Sequence, residues 1–151
     1  QHLYDLKAEL LKCGLSAPRD PTRSQSEAMI ANFPDALSFQ VAAACSLLTG
    51  AAANVGDVVA YRRGDDDIAV GELLTIARIH HADAVDDITC ISTWQPAAAA
   101  TSLYYRNYVM GDNPEFIPLD DILAAMHVSK DMQSNVASCI IPAPIRNSFG
   151  H

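Results

Sequence analysis

The sequence is short of basic residues, of cysteine pairs and of long apolar runs, and each shortage removes a class of function. Lys and Arg together number 10 against 18 Asp and Glu, giving a formal charge of −8 and a pI near 4.8. A surface of that sign repels phosphate backbones before counterion release can help, so direct nucleic-acid binding is disfavoured and basic partners are favoured. The same acidity also serves simply to keep a domain soluble. Cys13, Cys45, Cys90 and Cys139 lie dozens of residues apart, with no Cys-x-x-Cys pair and no His at ligand spacing. Neither a zinc knuckle nor a redox pair is suggested, and reduced structural thiols are expected in preference to a disulfide scaffold. Cys45 in an Ala-rich run and Cys90 between Thr89 and Ile91 sit where small buried thiols belong. No segment reaches the roughly eighteen apolar residues of a membrane span, and the start lacks the basic-then-apolar layout of a signal peptide. The chain therefore reads as intracellular with no membrane partner, and its first residue, Gln1, suits a piece of a longer protein.

What is present suffices for one good core. Half of the 151 residues are apolar, and a domain of this size removes roughly 68–70% of its unfolded surface from water. Two parts are expected: a helical extension over 1–54 and a β domain over 55–151. In the first, Leu3, Leu6, Leu10 and Leu11 recur near a 3.6 period with Gly14 as a stop, predicting an amphipathic helix. Pro18 and Pro21 mark a linker, Ser24 to Asn32 suits a short helix before Pro34, and Asp35 to Leu48 a further helix ahead of Gly50.

Strand signals begin at Val55. Val58, Val59 and Tyr61 lead through the polar turn 62–67 to Ile68–Ile76, which predicts a hairpin, and Ile88–Trp94 supplies a third strand ended by Pro96. Tyr104–Val109 forms a further strand, 111–114 a turn, and Pro118 opens a short helix with Asp120 and Asp121 against its positive end. Ile140 to Ile145 makes a closing strand, confined by Pro142 and Pro144 to an edge. A sheet this small is stabilised by closing its edges, so the fold class expected is α+β: a small, mostly antiparallel β-barrel with an N-terminal helical extension and a short helix near the C-terminus.

The order Gly56-Asp57-Val58-Val59, Val70-Gly71-Glu72-Leu73, Cys90-Ile91-Ser92-Thr93-Trp94-Gln95-Pro96 and Phe116-Ile117-Pro118-Leu119-Asp120-Asp121-Ile122 resembles the bromo-adjacent homology (BAH) domain, over about half of the chain. The resemblance implies a β-barrel with flanking helices and a chromatin-associated, nuclear role in protein–protein recognition, often histone binding. It implies no catalysis.

The residues themselves supply a reason for a reader. Tyr61, Trp94, Tyr104, Tyr105 and Tyr108 are four of the five tyrosines and the single tryptophan, all in the barrel half. Two or three of them around one mouth would cage an alkylated ammonium, each favourable face contributing about 0.5–2 kcal/mol. The competing reading puts Trp94 in the barrel core and the tyrosines outside it. His80, His81, Asp83, Asp86 and Asp87 are ligand types, but adjacent strand residues face opposite ways, so a polar loop explains them better than a metal site. Asp65-Asp66-Asp67 is too short for a calcium loop.

No catalytic motif competes with this. The segment Val55–Val59 also resembles the β-rich part of signal-peptidase-like serine proteases, yet no Ser/Lys arrangement, Gly-x-Ser-x-Gly or phosphate loop appears. The expectation is a non-enzymatic module without cofactor or metal that binds a basic peptide such as a histone tail. The alternative is a structural or assembly module of a larger protein, such as one encoded by a mobile element.

Overall fold

The computed structural model describes residues 13–64, 67–97, 104–142 and 145. They form twelve strands and one α-helix, mostly antiparallel β: β1 (Gly14–Ser16), α1 (Arg23–Asn32), β2 (Ser38–Ala42), β3 (Ala44–Ser46), β4 (Ala52–Asn54), β5 (Val58–Arg63), β6 (Asp67–His80), β7 (Val85–Thr93), β8 (Gln95–Pro96), β9 (Tyr105–Val109), β10 (Pro114–Pro118), β11 (Ile122–Asp131) and β12 (Val136–Ile140). A three-stranded sheet β1-β3-β4 lies beside a nine-stranded one ordered β10-β7-β6-β5-β11-β12-β9-β8, with β2 added to β6. The larger sheet curls into a half-barrel. Its last strand, β8, follows β7 after one residue, Trp94, whose amide donates to Val70 O at 2.9 Å. The chain itself thus ties the β8 end of the curl back to β6 and β7.

The predicted hairpin is β5–β6, turning at Gly64 with φ 75°. β5 is buried on both faces, which is why Val58-Val59-Ala60-Tyr61 is a continuous apolar run. Val58 and Ala60 enter the concave core with Val70, Trp94, Tyr108, Met126, Ala137, Cys139 and Ile141. Val59 and Tyr61 enter a second core on the opposite face, with Leu73, Ile76, Ile91, the small sheet's Cys45 and Ala53, and Leu47 just beyond β3. Strand β6 serves both because a bulge between Leu73 and Thr75 changes its register. Leu73 and Ile76 then share a face that period-two alternation would deny them.

Several expectations are corrected, and the helix over 24–32 is met. The helix predicted over 35–48 is strands β2 and β3. Phe39 and Val41 pack beneath α1 against Ala77 and Ile79 of β6, so tertiary burial overrides the helical tendency of the alanines. The helix predicted over 24–32 is α1, held by a capping box in which Thr22 and Gln25 exchange bonds. That over 3–11 lies outside the described residues, among which α1 is the one α-helix. The short helix after Pro118 is a single 3-10 turn, Leu119–Asp121. The closing strand falls earlier than predicted, at Val136–Ile140. Among the described residues no helix is long and apolar enough to cross a membrane.

Candidate functional site

One end of the curled sheet opens into a cavity of about 300 Å³, lined by Glu72, Ser92, Trp94, Met110, Asp112 and Lys130 among others. Register explains how these meet. Lys130 is paired with Ala137, Ala137 with Tyr108, and Tyr108 with Pro96, and directly opposed residues share a face. Since Tyr108 and Ala137 are in the concave core, Lys130 is directed to that side, at its rim. Glu72 follows Val70 by two along β6 and therefore faces the same interior. An acid and a base, from strands remote in sequence, meet there over the indole.

Their geometry is that of a held ammonium. Lys130 Nζ stands 5.8 Å from the centroid of a Trp94 ring and donates to Glu72 Oε1 at 3.3 Å. Trp94 is only 4% exposed. The turn that carries Met132 is fixed at both ends: Asp131 accepts from the amides of Gln133 and Ser134, and Asn135, at φ 58°, donates its side-chain amide to Met110 O at 2.6 Å. Bonds from Ser134 and the Gln133 amide hold the Asp131 carboxyl below its usual range. Ser92 Oγ donates to Gly111 O at 2.7 Å and so anchors the segment bearing Asp112.

The five aromatics singled out in the sequence are dispersed. Trp94 and Tyr108 are together in the concave core, both buried. Tyr61 is in the other core, across the sheet from Trp94, so this pair does not share a mouth. Its phenol lies 2.6 Å from Thr93 Oγ1 and 3.1 Å from Glu115 Oε2; Thr93 Oγ1 also donates to that oxygen at 2.7 Å, and Arg63 pairs with the other carboxylate oxygen. Burial pushes the Tyr61 phenol up to about 12. Burial alone would raise Glu115, but bonds from Thr93 and Tyr61 and the Arg63 charge outweigh it and hold the carboxyl low. Tyr104 and Tyr105 are exposed on and beside β9. Tyr105, Ile140 and His127 form a row across β9, β12 and β11, above the row Asn107, Ser138 and Ser129. That outer face carries a shallow groove of about 510 Å³.

The His/Asp group is divided among separate partners. His80 meets Gln40 at 3.0 Å, His81 pairs with Asp86 at 3.2 Å, and Arg78 pairs with Asp87 at 2.8 Å. Asp65 and Asp66 lie outside the described residues, and Asp120 accepts from the Cys13 thiol. Among the described residues no three His, Cys, Asp or Glu groups converge as a metal would require. All four cysteines are unpaired with one another, Cys45 and Cys139 being buried.

Sequence reasoning reached Trp94 but missed Glu72, Met110, Asp112, Lys130 and Met132. One signal was available: Glu72 continues the apolar series Ile68, Val70 at period two, an acid on a stripe that should be buried. The others come from β11, its turn and an irregular segment, and no local pattern joins them. The sequence matches no family model and no curated protein.

Proposed function

We propose that this chain is a non-catalytic recognition module that binds a basic peptide or protein segment, of the kind a histone tail presents, at the mouth of the curled sheet. The observation that carries the reading is the ammonium over Trp94. A ring face, a carboxylate at 3.3 Å and flanking Met110 and Met132 form an environment that favours a cation on an aliphatic stem, and the cation now in it is the protein's own. Net charge of −8 adds long-range attraction for a basic partner. The curled sheet is compatible with a BAH-like barrel, and chromatin association in the nucleus belongs to the same proposal. Tyr104 and Tyr105 would contribute as a separate exposed contact, and Tyr108 as support beneath Trp94.

The test is binding of the purified protein to methylated and unmethylated histone-tail peptides at two salt concentrations. Methyl-dependent binding that survives moderate salt supports the reading, whereas no binding to any tail sinks it. A second reading, a docking module within a larger assembly, is favoured by the exposed apolar residues Tyr105, Val109 and Ile140 on the outer face. A Tyr105→Ser, Ile140→Ser double variant that loses association with the parent assembly while keeping its melting temperature would favour it.

A further inference from the structure

We infer that Lys130 is a built-in occupant of the Trp94 mouth, which an incoming alkylammonium ligand must displace. This inference rests on the proposed reading of the site and adds its regulation. Trp94 is 4% exposed although it borders an open cavity, and the Lys130 ammonium, which lines the same cavity, stands over its ring at 5.8 Å from the centroid. The cover is lightly held. Lys130 and Glu72 side chains are 37% and 35% exposed, and their single ion pair at 3.3 Å is in reach of water and salt. Asp112, also at the rim, offers a second carboxylate. A ligand bearing a methylated or free ammonium would take over the ring face and the Glu72 carboxylate while Lys130 swings outward. Its apparent affinity is reduced by the fraction of molecules in which Lys130 already occupies the ring, so removing that ammonium strengthens binding without adding a contact.

Trp94 is the only tryptophan in the chain, so its fluorescence reports on this mouth alone. The experiment compares wild type, Lys130→Ala and Lys130→Arg by acrylamide quenching, and by titration with acetyl-trimethyllysine amide and with its neutral norleucine counterpart. Lys130→Ala is expected to raise the quenching constant about threefold and tighten binding of the trimethyllysine probe roughly three- to tenfold, with no gain for norleucine. Lys130→Arg keeps a cation over the ring and should resemble wild type. If Lys130→Ala leaves quenching unchanged, Lys130 is not the cover and the inference fails, while the functional reading stands on its own peptide data. If quenching rises but neither protein binds the probe, the mouth is not an ammonium site and both fail. Should Lys130→Ala not fold, Lys130→Thr, a residue better suited to a strand, removes the same ammonium and should likewise raise quenching; no rise would overturn the inference.

Discussion

Gly71 sits on β6 between β7 and β5, opposite Thr93 on one side and Val59 on the other. A Cβ built there would lie 2.3 Å from the Ser92 carbonyl oxygen and 2.7 Å from Ile91 Cγ2, inside the 3.0 Å that real Cβ atoms respect. The nearer atom is backbone, so it cannot rotate aside; β7 must move, and with it Trp94, two residues beyond Ser92. Overpacking of this kind costs about 1–3 kcal/mol, and a carbonyl at 2.3 Å puts Gly71→Ala at the upper end. Alanine's lower unfolded-state entropy returns about 0.4–1 kcal/mol, leaving a net loss of about 2 kcal/mol, or about 4–8 °C in Tm. Urea unfolding followed by Trp94 fluorescence measures it, the midpoint falling at unchanged slope. Gly14→Ala is the control, since nothing lies within 4 Å of its added carbon, and it should be neutral or slightly stabilising. A Gly71→Ala midpoint within about 0.5 kcal/mol of wild type would refute the close approach.

Two pH dependences follow from the buried polar groups. Glu115 is held below its ordinary value of 4.5 in the folded protein, so its contribution is complete above that value and lost as pH falls through the lowered one. The urea midpoint should drop on acidification, and Glu115→Gln should make that drop shallower; an equal slope in the variant would show that the Tyr61–Thr93–Arg63 cluster does not stabilise the carboxylate. Burial raises Tyr61 and Tyr108 from 10.0 to about 12, so the stability they support is full below pH 10 and lost as pH rises toward 12. In an alkaline titration their phenolate absorbance should appear together with loss of the sheet's circular dichroism. Complete ionisation of all tyrosines while the sheet persists would contradict their burial.

The strands legible in the sequence are those whose burial is local. β5, β7 and β9 begin or end within a few residues of their predicted bounds, because Val58–Tyr61, Ile88–Thr93 and Tyr105–Val109 are β-branched or aromatic runs between turn residues. Ser38-Phe39-Gln40-Val41-Ala42 has an apolar spacing that also fits a helix, and only its pairing with β6 decides the matter. β11 is hidden for a similar reason. Its Ala124-Ala125-Met126 reads as helical, yet it pairs with β5 while the second half of the strand pairs with β12. The proposed site was half legible. Its indole is visible as the one Trp after a strand, but the carboxylate and ammonium that meet it come from Glu72 and Lys130, 58 residues apart.

Core packing and ligand recognition need not be rival fates for Trp94. A Trp deep in a closed core would meet only apolar side chains, since an unpaired ammonium there carries a large desolvation cost. At the rim of a curled sheet the indole belongs to the same core as Tyr108, Ala137 and Val70 and also lies under the Lys130 ammonium. Substituting Trp94 therefore removes support and cover at once, and loss of binding in Trp94→Ala cannot by itself distinguish a site from a scaffold. Lys130 separates the two. It belongs to the mouth but not to the apolar core, so a change there that alters ammonium binding while leaving the unfolding midpoint in place would assign recognition to the mouth.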